Sequence, residues 1–201
     1  TAVSTLGDTI KAGNREFGLQ MLHIFVHGAK YGIESDVRQL AGILVKNECI
    51  GMFNVGTTTK LASDLNGNDA NILLSTLQTS VLEGLSDPLS EIRRMNAALL
   101  GKIASCYEGD YWVPLIPAVS KKVQDSLSNS NGQDLSVLKD NVLGYMYALR
   151  LVCEDGPEKL SMHASRPLDL LVPMFMRVLH FNSDEEWLHS LKLSVILSMN
   201  A

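Results

Sequence analysis

The sequence predicts an all-α chain folded as a stack of helical hairpins, on three observations: apolar residues recur at three- and four-residue steps, strand-type alternation is missing, and the helical pattern repeats. Hydrophobic residues make up 46% of the chain against 19% charged, too apolar for a disordered segment and enough for a sizeable core. Aromatics contribute only 6%. Leu, Val, Ile, Met and Ala dominate instead, and Leu, Met and Ala are strong helix formers.

The first hairpin opens with Phe17, Met21, Leu22, Phe25 and Val26, which share one stripe of a helix running from about Asn14 to His27, with Gly28 as its stop. A second helix is expected over Asp36–Asn47, with Val37, Leu40, Ile43 and Leu44 facing inward and Ser35 or Asp36 as its cap. Residues 54–70, rich in Gly, Asn, Thr and Ser, read as a connection. The next helices are expected over 70–85 and 89–107, joined by Ser86-Asp87-Pro88, with Pro88 in a first turn where its missing N–H costs little. A third pair spans 112–127 and 135–155 around the polar loop Ser128 to Gly132. The fourth spans 167–179 and 185–200. The units thus fall at about 14–47, 70–107, 112–155 and 166–200, a single segment expected to belong to a longer chain.

The second helices resemble one another. Val37-Arg38-Gln39-Leu40-Ala41-Gly42-Ile43-Leu44 matches Ile92-Arg93-Arg94-Met95-Asn96-Ala97-Ala98-Leu99 in character, with a small residue where helices must approach closely. Arg38 and Arg93 lie 55 residues apart, and comparable starts near Val142 and Leu188 follow after 49 and 46 more. With the two long loops discounted, this approaches the roughly 40–47-residue period of HEAT and armadillo repeats. The expected architecture is therefore a right-handed α-α superhelix, a HEAT/armadillo-type solenoid of about four hairpins. Paired prolines, Pro114 with Pro117 and Pro167 with Pro173, predict kinks in the first-helix layer.

Net charge of −5 and a pI near 5.5 oppose non-specific nucleic-acid binding, which needs clustered cations to displace counterions from phosphate. Cys49, Cys106 and Cys153 are odd in number and form no CxxC pair, so no disulfide framework or zinc site is expected. No apolar run is long enough to span a bilayer. P-loop, GxGxxG and GxSxG signatures are missing, and no cofactor or enzymatic centre is expected.

Three stretches resemble the importin-β superfamily of nuclear transport receptors. Arg38-Gln39-Leu40-Ala41-Gly42-Ile43-Leu44-Val45-Lys46-Asn47 is similar to that family's Arg-x-x-x-Gly-x-x-Leu-Lys-Asn signature. Leu89 to Pro117, with Ile92-Arg93 and Gly101-Lys102-Ile103-Ala104, resembles the following repeat, and Cys153-Glu154-Asp155 with Arg166 to Pro173 resembles a later one. The likeness runs over about residues 13–200 in order, with Trp187-Leu188 standing where the family carries Ile-Arg. It implies an N-terminal arch that binds the GTP form of the small GTPase Ran on its inner helices. It also implies cargo proteins and nucleoporins as partners through the parent chain, with neither nucleic acid nor membrane, and shuttling between cytoplasm and nucleus.

The candidate partner-binding residues are Lys46, Asn47, Glu154 and Asp155. Lys46-Asn47 follows an inner helix, where a cation also complements the helix C-terminus. Glu154, Asp155 and Glu158 precede or flank Gly156-Pro157 and read as an exposed helix end rather than paired catalytic carboxylates. His23 and His27, one turn apart, lack the glutamate of an HExxH and a third ligand, so surface histidines outweigh a metal site. Arg38, Arg93 and Arg94 are assigned to packing and ion-pair ladders within the stack. The cysteines are read as small buried hydrophobes and Trp112 as a core aromatic. A static HEAT scaffold of a phosphatase or kinase assembly, and a helical enzyme domain with zinc at His23 and His27, are the alternatives from other classes.

Overall fold

A computed structural model describes residues 15–49, 76–77, 79–106, 115–128, 135–155, 167–180 and 186–200. The expected connection at 54–70, the loop at 128–133 beyond Ser128, Pro114, Trp112 and Glu158 lie outside the described residues. Among the described residues seven helices carry the fold: α1 Arg15–His27, α2 Ser35–Leu44, α3 Ser90–Cys106, α4 Leu115–Ser128, α5 Leu135–Asp155, α6 Pro167–His180 and α7 Glu186–Asn200. A further helical stretch occupies residues 79–84, and no strand occurs among the described residues.

Hairpin mates pack together: α1 on α2, α4 on α5, and α6 on α7. The second helices also form a row in which α2 packs on α3, α3 on α5 and α5 on α7, while α4 packs on α6 in the other layer. Helices α2, α4, α5, α6 and α7 thus each use one face for a mate and another for a neighbour in the row. That is why the helices carry wide apolar surfaces instead of the narrow stripe of a two-stranded coil.

Leu22, Phe25 and Val26 of α1 are buried as the periodicity predicts, with Phe17 and Met21 packed at the margin. The end of α1 differs from expectation. The chain passes from α1 into a 3-10 turn at Gly28–Tyr31, and the stop is Gly32, whose φ of 69° lies in the left-handed region. Gly28 is buried for a different reason: a Cβ there would meet Arg38 Cγ at 3.1 Å.

The inward face of α2 is corrected more substantially. Leu44 is buried as expected, but Val37, Leu40 and Ile43 are exposed, at 50%, 38% and 43%. Arg38, Ala41, Gly42 and Val45 occupy the interface instead. Apolar content alone marks Val37-Leu40-Ile43 as the core stripe. Close approach of α1 and α3 selects the opposite side, where residues are small or can reach carbonyl partners. A Cβ on Gly42 would lie 2.7 Å from Phe25 Cε2 and 2.8 Å from Met95 Cγ. The cap is corrected too: Glu34 holds the N-cap position without a side-chain hydrogen bond, and Ser35 is already helical, its hydroxyl donating to Asp36 Oδ1 at 3.3 Å.

Helix α2 does not continue regularly to Asn47; it widens into a π-turn over Val45–Cys49. Pro88 sits two residues before α3 rather than inside its first turn. Pro167 is the first residue of α6, Pro117 the third of α4, and Pro173 stands in the interior of α6 on its exposed side. Of the described prolines, Pro173 therefore removes an interior backbone bond.

The tightest contact between rows is at α5. A Cβ on Gly144 would fall 2.0 Å from the carbonyl oxygen of Leu85, a backbone atom with little freedom to retreat. On an exposed helix Gly→Ala stabilises by about 1 kcal/mol. Here Gly144→Ala is expected to destabilise by about 1–3 kcal/mol through overpacking. Urea denaturation followed by circular dichroism measures it, and a variant as stable as the parent would contradict this packing.

Candidate partner-binding surface

Among the described residues, a cluster of buried charged groups forms a joint between the first two units. Arg38, only 1% exposed, reaches back across its hairpin: Nε donates to Phe25 O at 3.1 Å and Nη2 to Val26 O at 3.3 Å. These carbonyls belong to the last turn of α1, which leaves them without helical partners. The same guanidinium forms a buried ion pair with Asp87 in the turn before α3. Asp87 in turn accepts from the Leu89 backbone N–H at 2.9 Å through Oδ1, an Asx-type turn that sets the approach to α3.

Arg93 completes the joint. Its Nη1 donates to Asp87 O at 2.7 Å and Pro88 O at 2.9 Å, one turn after the backbone it clasps. The turn is also tied forward to α5, because the Ser86 and Tyr145 hydroxyls lie 2.9 Å apart and Tyr145 donates to Leu82 O at 3.4 Å. The sequence assigned Arg38 and Arg93 to packing within the stack, and both are found there; Arg94 instead is exposed. The sequence pattern marks Asp87 only as a turn residue. Its signal was present in an aspartate just before a helix start, 49 residues from a repeated arginine.

The candidate contact residues occupy different places. Lys46 is half-buried and Asn47 exposed, both in the π-turn after α2. Glu154 is exposed on the last turn of α5 and forms an i,i+4 ion pair with Arg150, Nε to Oε1 at 2.6 Å. Asp155 is the final residue of α5. The two pairs thus stand at the C-terminal ends of two second-row helices, with α3 packed between those helices. A pair of exposed partners such as Arg150 and Glu154 contributes at most a few tenths of a kcal/mol.

His23 and His27 lie side by side, ring centroids 4.9 Å apart, with the exposed Tyr31 ring 5.6 Å from His23. Among the described residues no three potential ligands gather into a metal site. His27 Nδ1 faces Glu83 Oε2 at 3.5 Å, a second link between the first two units. Burial holds His27 below the ordinary histidine range; Glu83 opposes this, and Lys30 and His23 add to the lowering. Cys153 is buried in α5, and burial, aided by Glu154, pushes its thiol up to about 11, which leaves it chemically inert. No described helix is long and apolar enough to cross a membrane.

No family model matches the chain. It is similar to Importin subunit beta-2 of Schizosaccharomyces pombe. The two are 25% identical over 144 residues, which is 71% of this chain and 13% of that relative. The chain therefore spans about an eighth of the relative's length. This distant likeness supports an importin-β-like relationship, in keeping with the all-helical hairpin packing described above.

Breaking a buried ion pair on one side strands the other charge and costs about 3–5 kcal/mol. Arg38→Met and Asp87→Ala are each expected to lose stability on that order, while Arg94→Ala stays within about 0.5 kcal/mol of the parent. Chemical denaturation of the three variants tests the ranking, and near-equal midpoints would refute it. For His27, a folded-state pKa below the ordinary histidine value of 6.5 means that the unfolded chain takes up its proton first. Its contribution is intact above that pH and declines as the pH falls below it. Melting temperatures between pH 7.5 and 5 should therefore decline less steeply in His27→Gln than in the parent.

Proposed function

We propose that this chain is the GTPase-binding N-terminal region of an importin-β-type nuclear import receptor of the transportin kind. Its stacked hairpins would form a right-handed HEAT superhelix that exchanges cargo for the GTP form of Ran. Two findings together carry the reading: the distant likeness to an importin subunit, and Arg38 of the family-like signature, buried in an ion pair that ties α2 to the turn before the next helix of the row. In this reading Lys46, Asn47, Glu154 and Asp155 contact Ran, and the receptor shuttles between cytoplasm and nucleus. Cargo proteins and nucleoporins engage other parts of the receptor. Function then rests on the difference in affinity between partner states, with no bond made or broken.

The test is capture of Ran loaded with a non-hydrolysable GTP analogue or with GDP. The GTP form should bind selectively, and Lys46→Glu combined with Asn47→Asp should weaken it by about tenfold, on the order of 1.4 kcal/mol. Equal capture of both forms, or of neither, would reject the reading and favour a nucleotide-indifferent HEAT scaffold.

A further inference from the structure

Helix α1 carries a polar line that the reading above does not use. Glu16, Gln20, His23 and His27 follow one another at steps of four, three and four residues, which sets them along one face of the helix. His23 is exposed and His27 partly so. An open depression of about 430 Å³, lined by Glu16, Leu19, Gln20, His23 and Ile24, gives water access to the His23 end of the pair.

The two imidazoles are tilted by 52° rather than stacked, and their centroids lie 4.9 Å apart. Metal–nitrogen bonds of about 2.0–2.1 Å, with each ring centre about 1.1 Å behind its nitrogen, place two cis imidazoles ~4.4–5.1 Å apart, centre to centre. The pair therefore already has the spacing of a chelate. Other groups help to hold it. The Tyr31 ring lies 5.6 Å from His23, and His27 Nδ1 faces Glu83 Oε2 at 3.5 Å, which leaves His27 Nε2 for a cation. A carboxylate behind a ligating imidazole fixes its tautomer and raises its basicity. Of the fixed charges that reach His27, Glu83 favours a cation and Lys30 opposes one.

Glu16 stands seven residues before His23, about 10 Å along the axis, too far to join the pair. With two nitrogens and, among the described residues, no cluster of three ligands, the site does not suit zinc, which takes three or four protein ligands. It suits a tetragonal ion that completes its coordination with water. We propose that His23 and His27 chelate one divalent ion of the copper–nickel class through two imidazole nitrogens, with Glu83 as a positioning residue supplied by the second unit. Occupancy then also tightens the link between the first two units. The site does not depend on GTPase binding, so Ran capture and the following experiment can fail independently.

The probe is Ni(II), titrated calorimetrically into the tag-free chain in a non-chelating buffer. The parent should take up one ion at this site, and His23→Gln and His27→Gln should each weaken binding at least tenfold. Glu83→Gln should weaken it by about tenfold, the size of effect an outer-shell partner of a metal-bound histidine has. His180→Gln, which changes a lone exposed histidine at the end of α6, should bind as the parent does. Ni(II) should also raise the melting temperature of the parent and not that of His23→Gln, since an ion bound only by the folded state stabilises it. Circular dichroism of the ion-free variants separates loss of the site from loss of folding. Parent-like affinity in either His23→Gln or His27→Gln, or an equal loss in His180→Gln, would overturn the proposal.

Discussion

Arg38 is the residue on which the arrangement of the first two units depends. A guanidinium at 1% exposure is tolerable only because each contact it makes is itself a group in need of a donor. Two are carbonyls at the end of α1, the third a carboxylate that organises the start of α3. Hydrophobic contact is non-directional and permits helices to slide or rotate. A buried charge with three fixed partners does not, and it specifies one register between the hairpins.

Close packing accompanies that choice. With Arg38 facing α1 and the next turn, Gly42 lies between Phe25 and Met95, where a Cβ would have no space. Farther along, Gly84 lies flat against Asn96, and Gly144 admits the carbonyl of Leu85. Asn96 is fully buried, donating to Ile92 O at 2.9 Å. Directional polar contacts and small residues thus share the joints, while branched aliphatics fill the space between them.

The same geometry leaves one side of α2 facing outward. With the small, polar side of α2 turned inward, Val37, Leu40 and Ile43 face outward, and the π-turn then carries Lys46 and Asn47. Both the exposed apolar side of α2 and the Lys46-Asn47 pair are therefore presented by helices and helix ends.

By itself the sequence determined the helical class and most limits of the described helices, because a 3.6-residue period and chain punctuation are local properties. Helix α5 spans 135–155 as the pattern predicts, and the α1 stripe of Leu22, Phe25 and Val26 is buried as read. Arg38 and Arg93 were also legible as internal, since they recur within a repeat. Tertiary structure alone decided which side of α2 faces inward. Hydropathy favours Val37, Leu40 and Ile43, but the inward side is set by how closely two neighbouring helices approach and by where a distant aspartate lies, and neither is a property of the ten residues of α2. For the candidate contacts, the sequence offered Lys46, Asn47, Glu154 and Asp155 as residues near helix ends; their placement on two row helices with α3 packed between came only from the packing of one hairpin on the next.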